Sequence, residues 1–107
     1  MSATPRGLES LEYILPGGKQ AGSFAPVMVG VLGSGNLEVL LESVPGTDCT
    51  LHVQTSARGF GLIWEAVAQA FHRRHRLAGV RVSINDMGAT PAVVSLRLDQ
   101  AVQEIQS

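Results

Sequence analysis

The chain has 107 residues, of which 45% are hydrophobic and 16% are charged, and its formal net charge at pH 7 is −1. This length and apolar content predict a single domain, residues 1–107, with its own hydrophobic core, and they exclude a disordered chain. A nucleic-acid-binding domain is expected to be clearly basic, so the near-neutral charge argues against a nucleic-acid partner.

The compartment is indicated by the apolar runs and by the cysteine content. The longest apolar run, residues 26–32, is far too short to cross a bilayer, and no secretory leader precedes it. The single cysteine, Cys49, cannot form an internal disulfide, and its strand-like setting predicts a buried thiol rather than a reactive one. The sequence therefore predicts a cytoplasmic protein with no membrane partner.

The first elements along the chain are a tail, a strand and a loop. Residues 1–7 are small and polar, which predicts a flexible tail. Residues 8–15 place leucines and a tyrosine among polar residues, as in a strand, and residues 16–23 carry Pro and Gly at a density typical of a loop.

Two predicted strands, residues 25–32 and 36–44, are joined by Gly33-Ser34-Gly35. Leucine and valine alternate with other residues along the second strand, which predicts one apolar face. Glycine has no Cβ, so a tight turn can form there and another molecule can approach its backbone closely. One interpretation is an ordinary hairpin turn, and the other is a serine presented for covalent modification.

The pattern then changes from strand to helix. Residues 49–55 alternate as a strand, whereas apolar residues from position 60 onward recur every three or four residues and predict a helix with a buried stripe. That stripe consists of Phe60, Ile63, Trp64, Val67 and Phe71. Residues 80–84 predict another strand, and a final helix runs from Thr90, as its N-cap, to about residue 105.

These elements predict the order β-β-β-β-α-β-α. The fold class is α+β: a single-domain two-layer sandwich in which a largely antiparallel sheet of four or five strands is covered on one face by two helices.

The basic residues near the end of the first helix have two readings. His72 and His75 stand three residues apart, but Arg73, Arg74 and Arg76 would repel a metal ion, and no nearby cysteine or carboxylate completes a site. We therefore predict no metal and a solvated helix face. The arginines either complement the helix dipole or make an electrostatic contact with another molecule.

Familiar catalytic motifs are missing around the turn. Glu38 occupies the position of the third glycine of a dinucleotide-binding loop, and the glycines do not flank the serine as in a nucleophile elbow. The order and spacing of His52, Asp48 and Asp86 do not indicate a triad with Ser34. The chain looks poorly equipped to act as an enzyme alone.

Two segments resist a generic interpretation: residues 33–41, GSGNLEVLL, and residues 85–98, NDMGATPAVVSLRL. In this order, and together with residues 54–56 and 59–64, they resemble the acyl carrier (delta) subunit of malonate decarboxylase. The resemblance spans roughly residues 31–104. In that family an aspartate often follows the Ser-Gly pair, and this chain has Asn36 there.

The resemblance implies a non-catalytic carrier. It places 2′-(5″-phosphoribosyl)-3′-dephospho-coenzyme A on Ser34 through a phosphodiester, with Gly33 and Gly35 leaving room for the prosthetic-group transferase. Acyl-transferase and decarboxylase subunits would be the other partners, working on an acetyl or malonyl thioester of the cofactor thiol. A loop tip suits a phosphodiester, because burying its charge without a partner would be costly.

Three alternatives compete with this interpretation. A carrier of the related citrate lyase type, its gamma subunit, would serve a different substrate. A non-covalent binding or scaffolding module would carry no prosthetic group, since small sheets covered by helices host many functions. An autonomous hydrolase using Ser34 would turn over simple esters.

Overall fold

A computed structural model describes residues 7–30 and 36–106. Seven strands and two helices lie within these ranges. They are β1 (Glu9–Pro16), β2 (Lys19–Gln20), β3 (Val27–Val29), β4 (Leu37–Ser43), β5 (Asp48–Thr55), α1 (Gly61–His75), β6 (Leu77–Ala78), β7 (Val80–Asp86) and α2 (Pro91–Gln106).

Five strands form the main sheet, in the order β1-β5-β7-β4-β3. All neighbouring strands are antiparallel except β5 and β7, which are parallel. Parallel strands need a long crossover, and α1 supplies it between β5 and β7. The predicted α+β architecture, with a largely antiparallel sheet and two helices, is confirmed.

The core lies between the sheet and the helices. Alternate residues of β4, β5 and β7 are buried, as the period-2 patterns predicted, and they pack in one cluster with residues of both helices. The largest fully buried side chain is Phe71 of α1. Cys49 belongs to this cluster, and burial raises the pKa of its thiol to about 12, so it is the inert buried cysteine that was predicted.

A short parallel sheet appears where the sequence predicted only a loop. β2 pairs with β6, and backbone hydrogen bonds flank the pair: Lys19 N donates to Arg76 O at 2.7 Å, and Ala21 N donates to Ala78 O at 3.1 Å. Arg76 caps α1 in the left-handed conformation, with φ of 52°, and turns the chain toward β2. A Cβ on Gly18 would lie 2.6 Å from the Arg76 carbonyl oxygen, so the close approach requires glycine.

The strand predicted over residues 25–32 is shorter within the described part of the chain, where it spans Val27–Val29. Pro26 lacks the N–H that a ladder requires, and Gly30, with φ of +85°, departs from extended geometry. Residues 31 and 32 lie outside the described residues. So do residues 1–6, and the flexible tail therefore stays a prediction.

No helix in the described ranges is long and apolar enough to cross a membrane.

Candidate functional site

The predicted site residues Gly33, Ser34 and Gly35 lie outside the described residues. The structure shows what stands on either side of them: Gly30 follows β3, and Asn36, with a φ of +56°, precedes β4. The surroundings of the site are therefore described from the end of the sheet at which β3 ends and β4 begins.

Gly30 and Leu37 are in close contact at this end of the sheet. A Cβ on Gly30 would lie 2.5 Å from the Leu37 carbonyl oxygen and 3.8 Å from Cδ of Arg97 on α2. The first contact is too short for any side chain, so glycine is required at position 30. The two sides of the 31–35 segment thus lie close together, with Arg97 beside them.

Asp86, the last residue of β7, organises the neighbouring loops. Its side chain is 2% exposed; Oδ2 accepts a hydrogen bond from Thr55 Oγ1 at 2.8 Å, and Oδ1 accepts from the N–H groups of Ala89 at 2.8 Å and Gly88 at 3.3 Å. Thr55 Oγ1 in turn accepts from Ala57 N at 3.0 Å. A buried carboxylate with several donors is stabilised in place, and it fixes both loops.

The same network extends to Asn36, the residue that follows the predicted attachment segment. Leu37 pairs with Asp86 in the ladder, and Met87 N donates to Asn36 O at 2.8 Å. The loop after β7 is therefore bonded to the residue that immediately follows Gly35. We call this part of the molecule the Asp86 end, and the sheet end beside Arg76 and Val80 the Arg76 end.

Sequence reasoning missed the role of Asp86. The sequence patterns suggested Asp86 only as a rejected triad member and as part of the segment 85–98. The structure gives Asp86 a threonine partner, while Nε2 of His52 lies 2.9 Å from Oε2 of Glu12. The signal that was available is an Asp followed within three residues by Gly and Ala, a pattern typical of a side chain that bonds its own turn.

An apolar groove opens beside the network, between the first turns of the two helices. Its volume is about 280 Å³, and its apolar walls include Phe60, Ile63, Trp64, Val67, Pro91 and Val94.

The predicted buried stripe of α1 is only partly buried, because its first residues line this groove. Trp64, Val67 and Phe71 are buried as predicted, but Phe60 and Ile63 are 47% and 44% exposed. The periodicity identifies the apolar side of the helix correctly, yet the first turn lines an open groove instead of packing under another element.

Both helices begin at the Asp86 end. Neither has an acidic residue in its first turn, and α1 has no side-chain cap at Phe60. Thr90 Oγ1 accepts a hydrogen bond from Val93 N at 3.3 Å, which confirms the predicted N-cap of α2. The positive ends of the two helix dipoles therefore favour negative charge here.

The solvated face predicted for the histidines is wrong. His72 is buried, with Nε2 3.2 Å from the Pro16 carbonyl oxygen, and Nε2 of His75 lies 2.7 Å from Asp99 Oδ1 on α2. β1 and α2 cover these positions, which the sequence spacing alone could not show. Among the residues of the described ranges, no three His, Cys, Asp or Glu side chains cluster as a metal site.

Part of the basic run is also paired. Arg74 is exposed but donates from Nη2 to Asp99 Oδ1 at 2.9 Å, and Arg73 and Arg76 are exposed as well. Partial burial opposes ionisation of Asp99, but the hydrogen bonds from His75 and Arg74 outweigh it and hold the pKa of this carboxyl below its usual value. The run lies at the Arg76 end, about 20 Å along a seven-residue strand from Asp86.

The fold and this site define a two-layer α+β domain that has an apolar groove at the same end as the connection between β3 and β4. A family model described as the malonate decarboxylase delta subunit (MdcD) matches residues 25–105. The chain belongs to this family, as the sequence resemblance indicated.

Similar proteins agree with the family. The chain is 70% identical, over 96% of its length and 95% of the relative, to a malonate decarboxylase acyl carrier protein of Burkholderia cepacia. It is 53% identical to a protein of the same name from Xanthomonas campestris, over 92% of this chain and 96% of that one. A chain in the crystal structure of a Pseudomonas malonate decarboxylase hetero-tetramer in complex with malonate superposes with a TM-score of 0.80 and 36% identity, over 91% of this chain and 98% of that chain.

Proposed function

We propose that this chain is the acyl carrier subunit of malonate decarboxylase and that Ser34 carries 2′-(5″-phosphoribosyl)-3′-dephospho-coenzyme A. The observation that carries the proposal is the position of Gly33-Ser34-Gly35 within the family match, residues 25–105, in a chain 70% identical to a malonate decarboxylase acyl carrier protein. When bound, the group supplies a thiol on which acetyl or malonyl is held as a thioester.

The described residues fit such a group chemically. The prosthetic group combines phosphates with a long arm in which methyl and methylene groups alternate with amides before the terminal thiol. The Asp86 end offers an apolar groove for the arm, with Phe60 and Ile63 partly exposed in it. It also offers two helix N-termini without acidic residues, which favour the phosphates.

The contribution of the chain is to position the group. Gly30 and Leu37 lie close together on either side of the 31–35 segment, and the bond from Met87 N to Asn36 O fastens the residue after that segment to the loop that follows β7. Within this proposal the chain is not itself an enzyme. Acyl-transferase and decarboxylase subunits perform the reactions, a transferase attaches the group, and the complex is cytoplasmic. Tethering gives each partner a high local concentration of substrate.

Intact mass spectrometry of the chain purified from the assembled complex tests the proposal. We expect the wild-type chain to have the mass of the polypeptide plus one prosthetic group, and Ser34→Ala to have the bare mass and to abolish decarboxylation by the complex. Ser56→Ala is the matched control, because Ser56 is an exposed serine in the other loop at the Asp86 end, and it should remain loaded and active. A bare wild-type chain, or a loaded Ser34→Ala chain, contradicts the proposal.

A further inference from the structure

β1 forms one edge of the main sheet, and within residues 7–30 and 36–106 its only strand neighbour is β5. Its eight residues pair with β5 one for one, without a bulge, and its only proline is the last residue. The opposite edge strand, β3, has three residues and lies between Pro26 and Gly30. Sheet edges are normally protected by short strands, proline, bulges or charged side chains. Of the two edges, β1 is therefore the one that is open to another strand.

The backbone groups of β1 that face outward follow from the hydrogen bonding of β5. Ser56, the residue after β5, donates from N to Asp86 O at 3.0 Å. The even-numbered residues of β5 therefore direct their N–H and C=O groups toward β7, and the odd-numbered ones direct theirs toward β1. The β1 residues opposite the odd-numbered ones include Leu11, Tyr13 and Leu15, and these are bonded to β5.

The alternate residues Ser10, Glu12 and Ile14 direct their backbone groups away from β5, and each offers one N–H donor and one C=O acceptor. Pro16 belongs to the same alternate set, and its carbonyl oxygen lies 3.2 Å from Nε2 of His72, as expected of a group that β5 does not use. The side chains of the three residues are exposed, Ile14 by 58%. A row of such donors and acceptors is matched by the backbone of another extended strand.

Acidic residues surround this edge. Glu9 and Glu12 lie on β1, which contains no lysine or arginine, and Glu65 lies on α1, whose Gly61 carbonyl accepts a hydrogen bond from the Tyr13 hydroxyl at 2.9 Å. The pKa of Tyr13 is raised by burial and then by the negative charges of Glu65 and Glu9. Like charges opposite each other across a strand pair are destabilising, so a second copy of this edge is disfavoured. A strand that carries lysine or arginine is favoured.

We propose that the β1 edge binds an extended, basic segment of a partner subunit, which adds a strand to the main sheet through the backbone groups of Ser10, Glu12 and Ile14. This inference rests on the proposed function, from which it takes the partner subunits, and it names the surface that one of them uses. No residue of β1 lines the apolar groove, so a strand at this edge leaves the groove open.

Hydrogen–deuterium exchange of the full chain, alone and in the assembled complex, tests the proposal. Fragmentation in the mass spectrometer resolves single amides. The amides of Leu11 and Tyr13 should be protected in both samples, because they are bonded to β5. Those of Ser10, Glu12 and Ile14 should exchange rapidly in the isolated chain and at least about tenfold more slowly in the complex.

The outcomes separate this inference from the proposed function. If the chain assembles and the three outward amides exchange equally in both samples, the inference is overturned and the proposed function stands. A chain that does not assemble with the other subunits overturns both. Protection already present in the isolated chain also overturns the inference, and it assigns the edge to a second copy if it depends on chain concentration.

Two substitutions of Ile14 separate the backbone contact from the side-chain contact. Proline is tolerated on an edge strand where the N–H faces outward, so Ile14→Pro should fold, as circular dichroism would show. It should bind the remaining subunits at least about tenfold more weakly, because it lacks the donor. Ile14→Ala keeps the donor and should lose less than about threefold. Equal losses, or none, contradict the added strand. If Ile14→Pro fails to fold, the exchange of the wild-type chain decides the question.

The charge of the partner segment is tested with Glu12→Gln, and Glu42→Gln is the matched control because it removes the same charge from β4. Nε2 of His52 lies 2.9 Å from Glu12, so the stability of each variant is measured first. We expect Glu12→Gln to slow assembly by about threefold at low salt, with the difference fading at high salt, and Glu42→Gln to assemble as wild type does. Equal rates for the two variants at every salt concentration contradict a basic partner segment.

Discussion

The Asp86 end of the sheet surrounds one buried carboxylate with neutral donors, whereas the Arg76 end carries the basic run that begins at His72. At the Asp86 end the polar network is satisfied from within, and the surface beside it is an apolar groove. At the Arg76 end Arg74 and His75 pair with Asp99, and His72 packs against β1. The comparison shows that a concentration of charge in a sequence need not be free at the surface, because another element can pair with part of it.

Asp86→Ala should have the largest effect on stability. The substitution leaves Thr55 Oγ1 and the N–H groups of Gly88 and Ala89 without their acceptor, and we expect a loss of about 3 kcal/mol in the free energy of unfolding. Urea denaturation measures it. Asp48→Ala, at the exposed first residue of β5 near the Arg76 end, should change stability by less than about 0.5 kcal/mol. Equal losses in the two variants would contradict the role given to Asp86.

Comparing Gly30→Ala with Gly17→Ala separates the cost of a close backbone contact from the cost of the left-handed conformation. Both Gly30 (φ +85°) and Gly17 (φ +83°) have left-handed geometry, but only a Cβ at position 30 meets the backbone, at 2.5 Å, while position 17 is open. We expect Gly17→Ala to cost about 1 kcal/mol and Gly30→Ala about 2–3 kcal/mol. Thermal unfolding of both variants tests this expectation. An equal cost would mean that β3 and β4 can move apart at Gly30 to accommodate a Cβ without loss of stability.

The ion pairs of Asp99 should give a smaller effect that depends on pH. Because the pKa of Asp99 is lowered in the folded protein, its contribution to stability is present above the unfolded-state pKa, near 4, and is lost as the pH falls through the folded-state value. Asp99 is partly exposed, so Asn in its place should cost less than about 1 kcal/mol at pH 7.

Urea denaturation of wild type and Asp99→Asn at pH 7 and below pH 4 measures this contribution. The difference between the two proteins should shrink at the lower pH. A difference that persists unchanged would show that packing, and not charge, accounts for the effect of the substitution.

Replacing Arg73 and Arg76 together with glutamine should have the smallest effect on the isolated chain. Both are exposed, so we expect a change in stability within about 0.5 kcal/mol, but slower assembly with the partner subunits at low salt. Stopped-flow assembly rates across a salt series test the second part. Rates equal to wild type at every salt concentration would mean that these arginines only complement the dipole of α1.

Much of the fold could be predicted because its determinants are local. The alternation in β4, β5 and β7 and the spacing in the two helices follow from how successive side chains project, and Thr90 was identified as a cap from its own neighbours. The β2–β6 pair was missed because two exposed residues, Lys19 and Gln20, carry no periodic signal. The exposure of Phe60 and Ile63 was missed because the periodicity of an apolar stripe does not show which turns of the helix another element packs against.

The sequence by itself determined the fold class, the order of the main elements, the family, and Ser34 as the predicted attachment residue. These depend on short patterns and motifs that lie within a few residues of one another. The tertiary structure decided which groups meet: Asp86 with Thr55, Asp99 with Arg74 and His75, and Arg97 with the two sides of the 31–35 segment. Such contacts join residues far apart in the chain, and only the pairing of strands and the packing of the helices on the sheet and on each other bring them together.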